Sequence, residues 1–150
     1  MKKLEGSIIN RIYEGNTFVD EIKVGTPVTE YFWSDRHVHE VTKVIDQKHV
    51  FIREMKAIRT DDNGMSDYQT WRYESDPKAH EVELVKRGDV WYEVHTYTKE
   101  RYDYLVKNSW CGWVLTESQW KRIDEGKDVK KYTKMNISFG IADYYYDFEF

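Results

Sequence analysis

From about Gly25 to Val94 the chain reads as short runs of β-branched and aromatic residues separated by turn chemistry. The runs are Val28 to Trp33, Val38 to Ile45, His49 to Met55, Gln69 to Glu74, Glu81 to Val85 and Val90 to Val94, each of strand length. Asp46-Gln47-Lys48 and Arg87-Gly88-Asp89 are suited to closing hairpins, and Asp61-Asp62-Asn63-Gly64 marks a turn. In His49–Glu54, alternation sets Val50 and Ile52 on one face and Phe51 and Arg53 on the other. The pattern predicts four or more antiparallel strands, arranged as a small SH3-like barrel or a strongly twisted sheet.

After Val94 the period becomes helical. Thr98 is placed to cap a helix of about ten residues carrying Tyr102, Leu105 and Val106. A second helix is announced by the capping box Thr116-Glu117-Ser118-Gln119, with Leu115 as hydrophobic staple and Gly126 where a C-cap belongs. Its apolar stripe is only Trp120 and Ile123, so it must pack on something else; Trp110 and Trp113 nearby suggest an interface. A last strand is predicted over Asn136 to Ile141. The tail Tyr144-Tyr145-Tyr146-Asp147-Phe148-Glu149-Phe150 is too aromatic to stay free and is expected to dock. The fold class expected is α+β: one β-rich domain over 1–150, with a two-helix insertion at about 95–130.

Composition narrows the function. The 150 residues suffice for one domain with its own core. Aromatic residues make up 16%, including twelve Tyr and six Trp, a bias towards strands and binding surfaces. A net charge of −4 argues against bulk nucleic acid or an anionic membrane as partner. The lone Cys111 excludes an intrachain disulfide and a cysteine-based zinc cluster within one chain. No apolar run reaches signal or membrane-spanning length, so a cytoplasmic location is expected.

Chemistry-bearing motifs are few. The eight glycines form no phosphate loop or dinucleotide fingerprint, and no nucleophile elbow is present, so neither cofactor nor enzymatic activity is expected. Cys111 has no local signature of a nucleophile. His37 and His39 project to the same strand face, a spacing metal sites use, but strand histidines more often hydrogen-bond to neighbours. Asp61, Asp62, Asn63 and Asp67 lack the spacing of a calcium loop and read as turn formers. More weight falls on Arg36, Arg53, Arg59, Arg72 and Arg87, all in or beside predicted strands, together with Trp33, Trp71, Tyr73 and Phe139. Guanidinium forks match phosphate oxygens and rings stack on bases. The same residues are equally consistent with ordinary core rings and salt-bridged surface arginines.

Three segments carry a resemblance: Val24-Gly25-Thr26-Pro27 to Trp33-Ser34-Asp35-Arg36-His37, Ile58-Arg59-Thr60-Asp61-Asp62-Asn63-Gly64-Met65-Ser66-Asp67-Tyr68-Gln69, and Ser138-Phe139-Gly140 with Tyr145-Tyr146-Asp147. They resemble a family of small proteins carried by phages and prophages, similar to the viral Thoeris anti-defence sponges that capture a cyclic ADP-ribose signal. The resemblance implies a non-enzymatic homo-oligomer in the cytoplasm of the infected host, holding a nucleotide-derived signal without cleaving it. On that reading Trp33, Trp71 and Phe139 stack on the base, and Arg36, Arg53, Arg59 and Arg87 meet phosphate. His37, Asp67 and Gln69 then serve ribose and base. Two alternatives stay open: an inhibitor binding a host defence protein through its acidic, aromatic tail, in the manner of an anti-CRISPR protein, and a signal-degrading hydrolase using His37 or His39.

Overall fold

The β-branched and aromatic runs do form strands, and the sheet they build is mostly antiparallel. The computed structural model describes residues 17–101, 103 and 115–148. Its strands are β1 (Pro27–Tyr31), β2 (Arg36–Asp46), β3 (His49–Glu54), β4 (Lys56–Arg59), β5 (Trp71–Glu74), β6 (Glu81–Arg87), β7 (Val90–Tyr97), β8 (Val129–Met135) and β9 (Ile137–Phe139), with helix α1 at Glu117–Asp124. Two compact units are present, one from Met1–Glu93 with Lys134–Phe150 and one from Val94–Thr133. No described helix is long and apolar enough to cross a membrane.

In the first unit the strand order is β7-β6-β3-β2-β1-β9, and β4 pairs with β5 in a separate ribbon. Val28, Val41, Val50, Ile52, Leu84, Ile137 and Phe139 are buried on one face with Ile22 and Trp91. Removing such side chains from water contributes about 1.5–3 kcal/mol each. Trp91 on β7 and Phe139 on β9 are separated by four strands in this order, yet their ring centroids are 4.8 Å apart. The sheet therefore curls over its core.

The opposite face of β1 is buried as well. Thr29 donates to the Ile141 carbonyl at 2.6 Å and accepts from the Asp143 amide at 3.2 Å, while the Tyr31 hydroxyl is hydrogen-bonded to Ser138 at 2.6 Å. The segment after β9 thus lies across the sheet. Its path turns on Gly140, whose φ of 98° belongs to the left-handed region. A Cβ there would stand 2.8 Å from Val19 Cγ1 and 3.2 Å from the Phe18 carbonyl carbon, so only glycine fits.

The second unit is organised by Tyr97, Leu115, Ile123 and Val129, with Trp120 packed against them. The expected capping box is present: the Gln119 amide donates to Thr116 Oγ1 at 3.3 Å, and the Thr116 amide to Gln119 Oε1 at 2.9 Å. At the other end Gly126 (φ 83°) lets its amide reach the Ile123 carbonyl while the Lys127 amide reaches that of Arg122, the Schellman arrangement. Thr98 accepts from the Arg101 amide at 3.1 Å, and residues 99–101 are helical. Tyr102, Leu105 and Val106 of that expected helix, and Trp110, Cys111 and Trp113 after it, lie outside the described residues.

Two strands have no counterpart in the sequence reading. β4 is Lys-Ala-Ile-Arg, poor in strand formers, and follows β3 after Met55 alone. β8 carries Lys130, Lys131 and Lys134 and stands at the end of the strand order, where lysines discourage pairing with another chain.

Candidate functional site

Three segments of the first unit converge: the turn Phe32–Asp35, the loop 60–70 between β4 and β5, and the tail 143–148. The loop is braced by Asp61, which accepts from Arg59 Nε and Nη2 at 2.9 Å each and from the amides of Asn63 and Thr70. These donors, the Arg59 fork first, hold the Asp61 carboxyl well below the usual carboxylate range. A folded-state value that is depressed gives stability that is present above the unfolded value, near pH 4, and is lost as pH falls further. Asp61→Asn should therefore lower the urea midpoint at pH 7, with the gap to the wild type narrowing below about pH 4. A gap unchanged between about pH 5 and pH 2 would remove the ion pair as its cause.

The tail docks as expected, and it takes up the very side chains read as ligand-binding. Tyr145 exchanges backbone hydrogen bonds with Arg36 at 2.9 and 3.1 Å. The buried Arg36 side chain donates from Nε to the Asp143 carbonyl at 3.1 Å, lies 3.3 Å from its carboxylate and stacks over the Tyr145 ring. The Tyr145 hydroxyl donates to Asp67, and burial, followed by this bond, pushes its pKa above the ordinary phenol value. Gln69 brackets the Tyr146 backbone, donating to its carbonyl at 2.7 Å and accepting from its amide at 3.1 Å, and also accepts from Trp71 Nε1. Tyr144 donates its amide to the Tyr73 hydroxyl and packs edge-on against Trp71. Phe148 and Trp71 both face the Arg59 guanidinium, and the Asp147 amide donates to Asp35.

Six of the ten expected ligand residues, Arg36, His37, Arg59, Asp67, Gln69 and Trp71, are thus brought together around the chain's own tail. Three of the other four are elsewhere, and the fourth, Trp33, lies on the converging turn. Phe139 is fully buried against Trp91 and has no face for a base. Arg53 stands on β3 opposite Glu40 and Glu81. Arg87 is exposed at the β6–β7 hairpin. Trp33 is 60% exposed in the turn beside Asp35.

Phe32, Met65, Tyr68 and Tyr146 are exposed on the same three segments as Trp33. Arg36 is paired with Asp143 and Arg59 with Asp61, and Asp62 is exposed on the same loop as Met65 and Tyr68. Tyr144 and Asp143, absent from the sequence-derived set, complete the arrangement; their only signal was the aromatic, acidic composition of the tail.

His37 and His39 are held by carboxylates rather than arranged as metal ligands. His37 Nδ1 is 3.1 Å from Glu54 and its ring lies between Phe32 and Tyr144. His39 Nε2 is 3.0 Å from Glu30. Among the described residues no group of three or more His, Cys, Asp or Glu is placed to hold a metal ion. Comparison of the chain with protein families, with characterised proteins and with solved structures finds no match, so the functional reading rests on this geometry.

Proposed function

We propose that the protein is a non-enzymatic binding protein that engages a protein partner through the aromatic, acid-flanked end formed by the 32–35 turn, the 60–70 loop and the tail. One observation carries this reading: the two arginines at this end, Arg36 and Arg59, are already matched to internal carboxylates, whereas Trp33, Tyr68, Met65 and Tyr146 are exposed there. Exposed Trp and Tyr are the residues that dominate protein interfaces. The exposed carboxylate of Asp62 among these rings favours a basic partner surface. An SH3-like small barrel with a two-helix insertion is the architecture that goes with this proposal.

Capture of a cyclic nucleotide signal is the second reading, supported by the resemblance and by the meeting of Arg59 with the Trp71 and Phe148 rings. It requires an anion to displace Asp143 or Asp61.

One experiment separates these readings. The protein is incubated with a cyclic ADP-ribose isomer, or with a panel of Arg-rich, Lys-rich and acidic peptides, freed of unbound material and heat-denatured. Selective, salt-sensitive retention of basic peptides, weakened about 30-fold or more by Trp33→Ala, is the expected result. Release of intact signal would replace it with the capture reading, and an altered signal would make the protein an enzyme. Sedimentation showing a self-associated form lost in Trp33→Ala would assign the face to a second copy of the chain. Retention of nothing overturns the proposal.

A further inference from the structure

Along β1, β2 and β3 the core-facing side is apolar at one end and ionic at the other. Val28, Val41 and Ile52 belong to the core. One step further along the same face stand Glu30 on β1, His39 and then His37 on β2, and Glu54 on β3. The register places Glu30 opposite His37, and His39 opposite both Val28 and Glu54. All three strands change character at the same level.

The hydrogen bonding of this cluster leaves it short of a donor. A carboxylate only accepts, so the His39 Nε2 facing Glu30 carries the ring proton. In the neutral ring Nδ1 is then an acceptor. Nδ1 is buried with no partner among the described residues, in a side chain only 8% exposed, a costly condition for a polar atom. Among the described residues, Glu30 and Glu54 have imidazoles as their ion-pair partners and no Lys or Arg. Exposure rises from Glu30 to Glu54, at 18% and 48% of their side chains, so the cluster opens at a rim. The Phe32 and Tyr144 rings flank His37 at that rim, 4.8 and 5.5 Å from it.

We infer that this cluster is a subsite for a guanidinium group, presented as an arginine side chain of the partner. Two carboxylates supply the charge, the His39 lone pair takes an N–H, and the rings of Phe32 and Tyr144 match a planar cation. A guanidinium has five donors in one plane, which suits several acceptors on different strands better than a single ammonium. The source of the cation rests on the protein-partner reading; the chemistry of the cluster does not.

The test uses ethylguanidinium chloride on the full-length, 15N-labelled protein, followed by the imidazole nitrogens of His39 and His37 and referenced to equimolar sodium chloride. The expected result is a saturable upfield shift of His39 Nδ1. Binding should be weakened on the order of tenfold in Glu54→Gln and in Glu30→Gln, each of which keeps an acceptor for its histidine. Signals that move no further than in sodium chloride, or that ignore both substitutions, overturn the inference. Tighter saturation by ethylammonium would overturn the choice of guanidinium. Ethylguanidinium binding without peptide binding would leave the subsite and remove the protein partner; peptide binding with a silent cluster would do the reverse.

Discussion

Phe139→Ala should cost about 3–5 kcal/mol of folding stability, the range for truncating a fully buried aromatic ring. Phe139 is completely buried, joins the core cluster and touches Trp91 from across the curled sheet. Its backbone pairs with Val28 and accepts from the Phe18 amide. The cavity would open inside the curl of the sheet, flanked by strands tied by backbone bonds and hence slow to collapse. Urea unfolding gives the measurement: a lower midpoint at an unchanged slope, with Phe139→Leu retaining most of the stability because most of the volume stays. A loss below about 1 kcal/mol would mean that the ring is not the closing contact. The same variant bears on ligand capture, since a base-stacking role predicts lost binding in a stable protein.

Arg36→Ala is expected to cost on the order of 2–3 kcal/mol, less than a fully buried pair because Asp143 is partly solvated. The guanidinium has three tasks: its Nε serves the Asp143 carbonyl, its charge faces the Asp143 carboxylate, and its plane covers Tyr145. Arg36→Lys should not restore the loss, because an ammonium lacks the planar fork. The diagnostic readout is local. Hydrogen exchange at the Tyr145 amide, bonded to the Arg36 carbonyl, should quicken more than exchange in β3. Equal change in both places would show a global effect, and no change in either would refute the anchoring role.

Much of the sheet could be read from the chain because local preference and tertiary environment agree there. Val50 and Ile52 alternate with Phe51 and Arg53, and burial follows that alternation. The capping box at Thr116 and the glycine at 126 carry their own backbone chemistry, so they were legible without any fold. β4 and β8 were not, because Lys56, Ala57, Lys130 and Lys131 have weak strand preference and are recruited by pairing alone.

The site was legible in part for a similar reason. Arginines, rings and acids at strand ends announce that charges and aromatics will meet, but composition does not say whether the anion is a ligand or the chain's own Asp143 and Asp61. Residue type alone also leaves open whether Phe139 faces the core or an opening. The ionic end of β1–β3 was visible only as two histidines on one face; Glu30 and Glu54 joined them through register, which no local pattern specifies.

The pairing of β1 with β9 joins Val28 to Phe139 across more than two thirds of the sequence. During synthesis β1 and β2 can form a hairpin early, and the capped helix α1 can nucleate from local bonds, but the outer edge of β1 waits for the distant β9. Until then it is an open strand edge bearing Val28 and Tyr31, a template for wrong pairing between nascent molecules. The chain should therefore be most prone to aggregation before its last strand arrives, and slow to refold from denaturant once released.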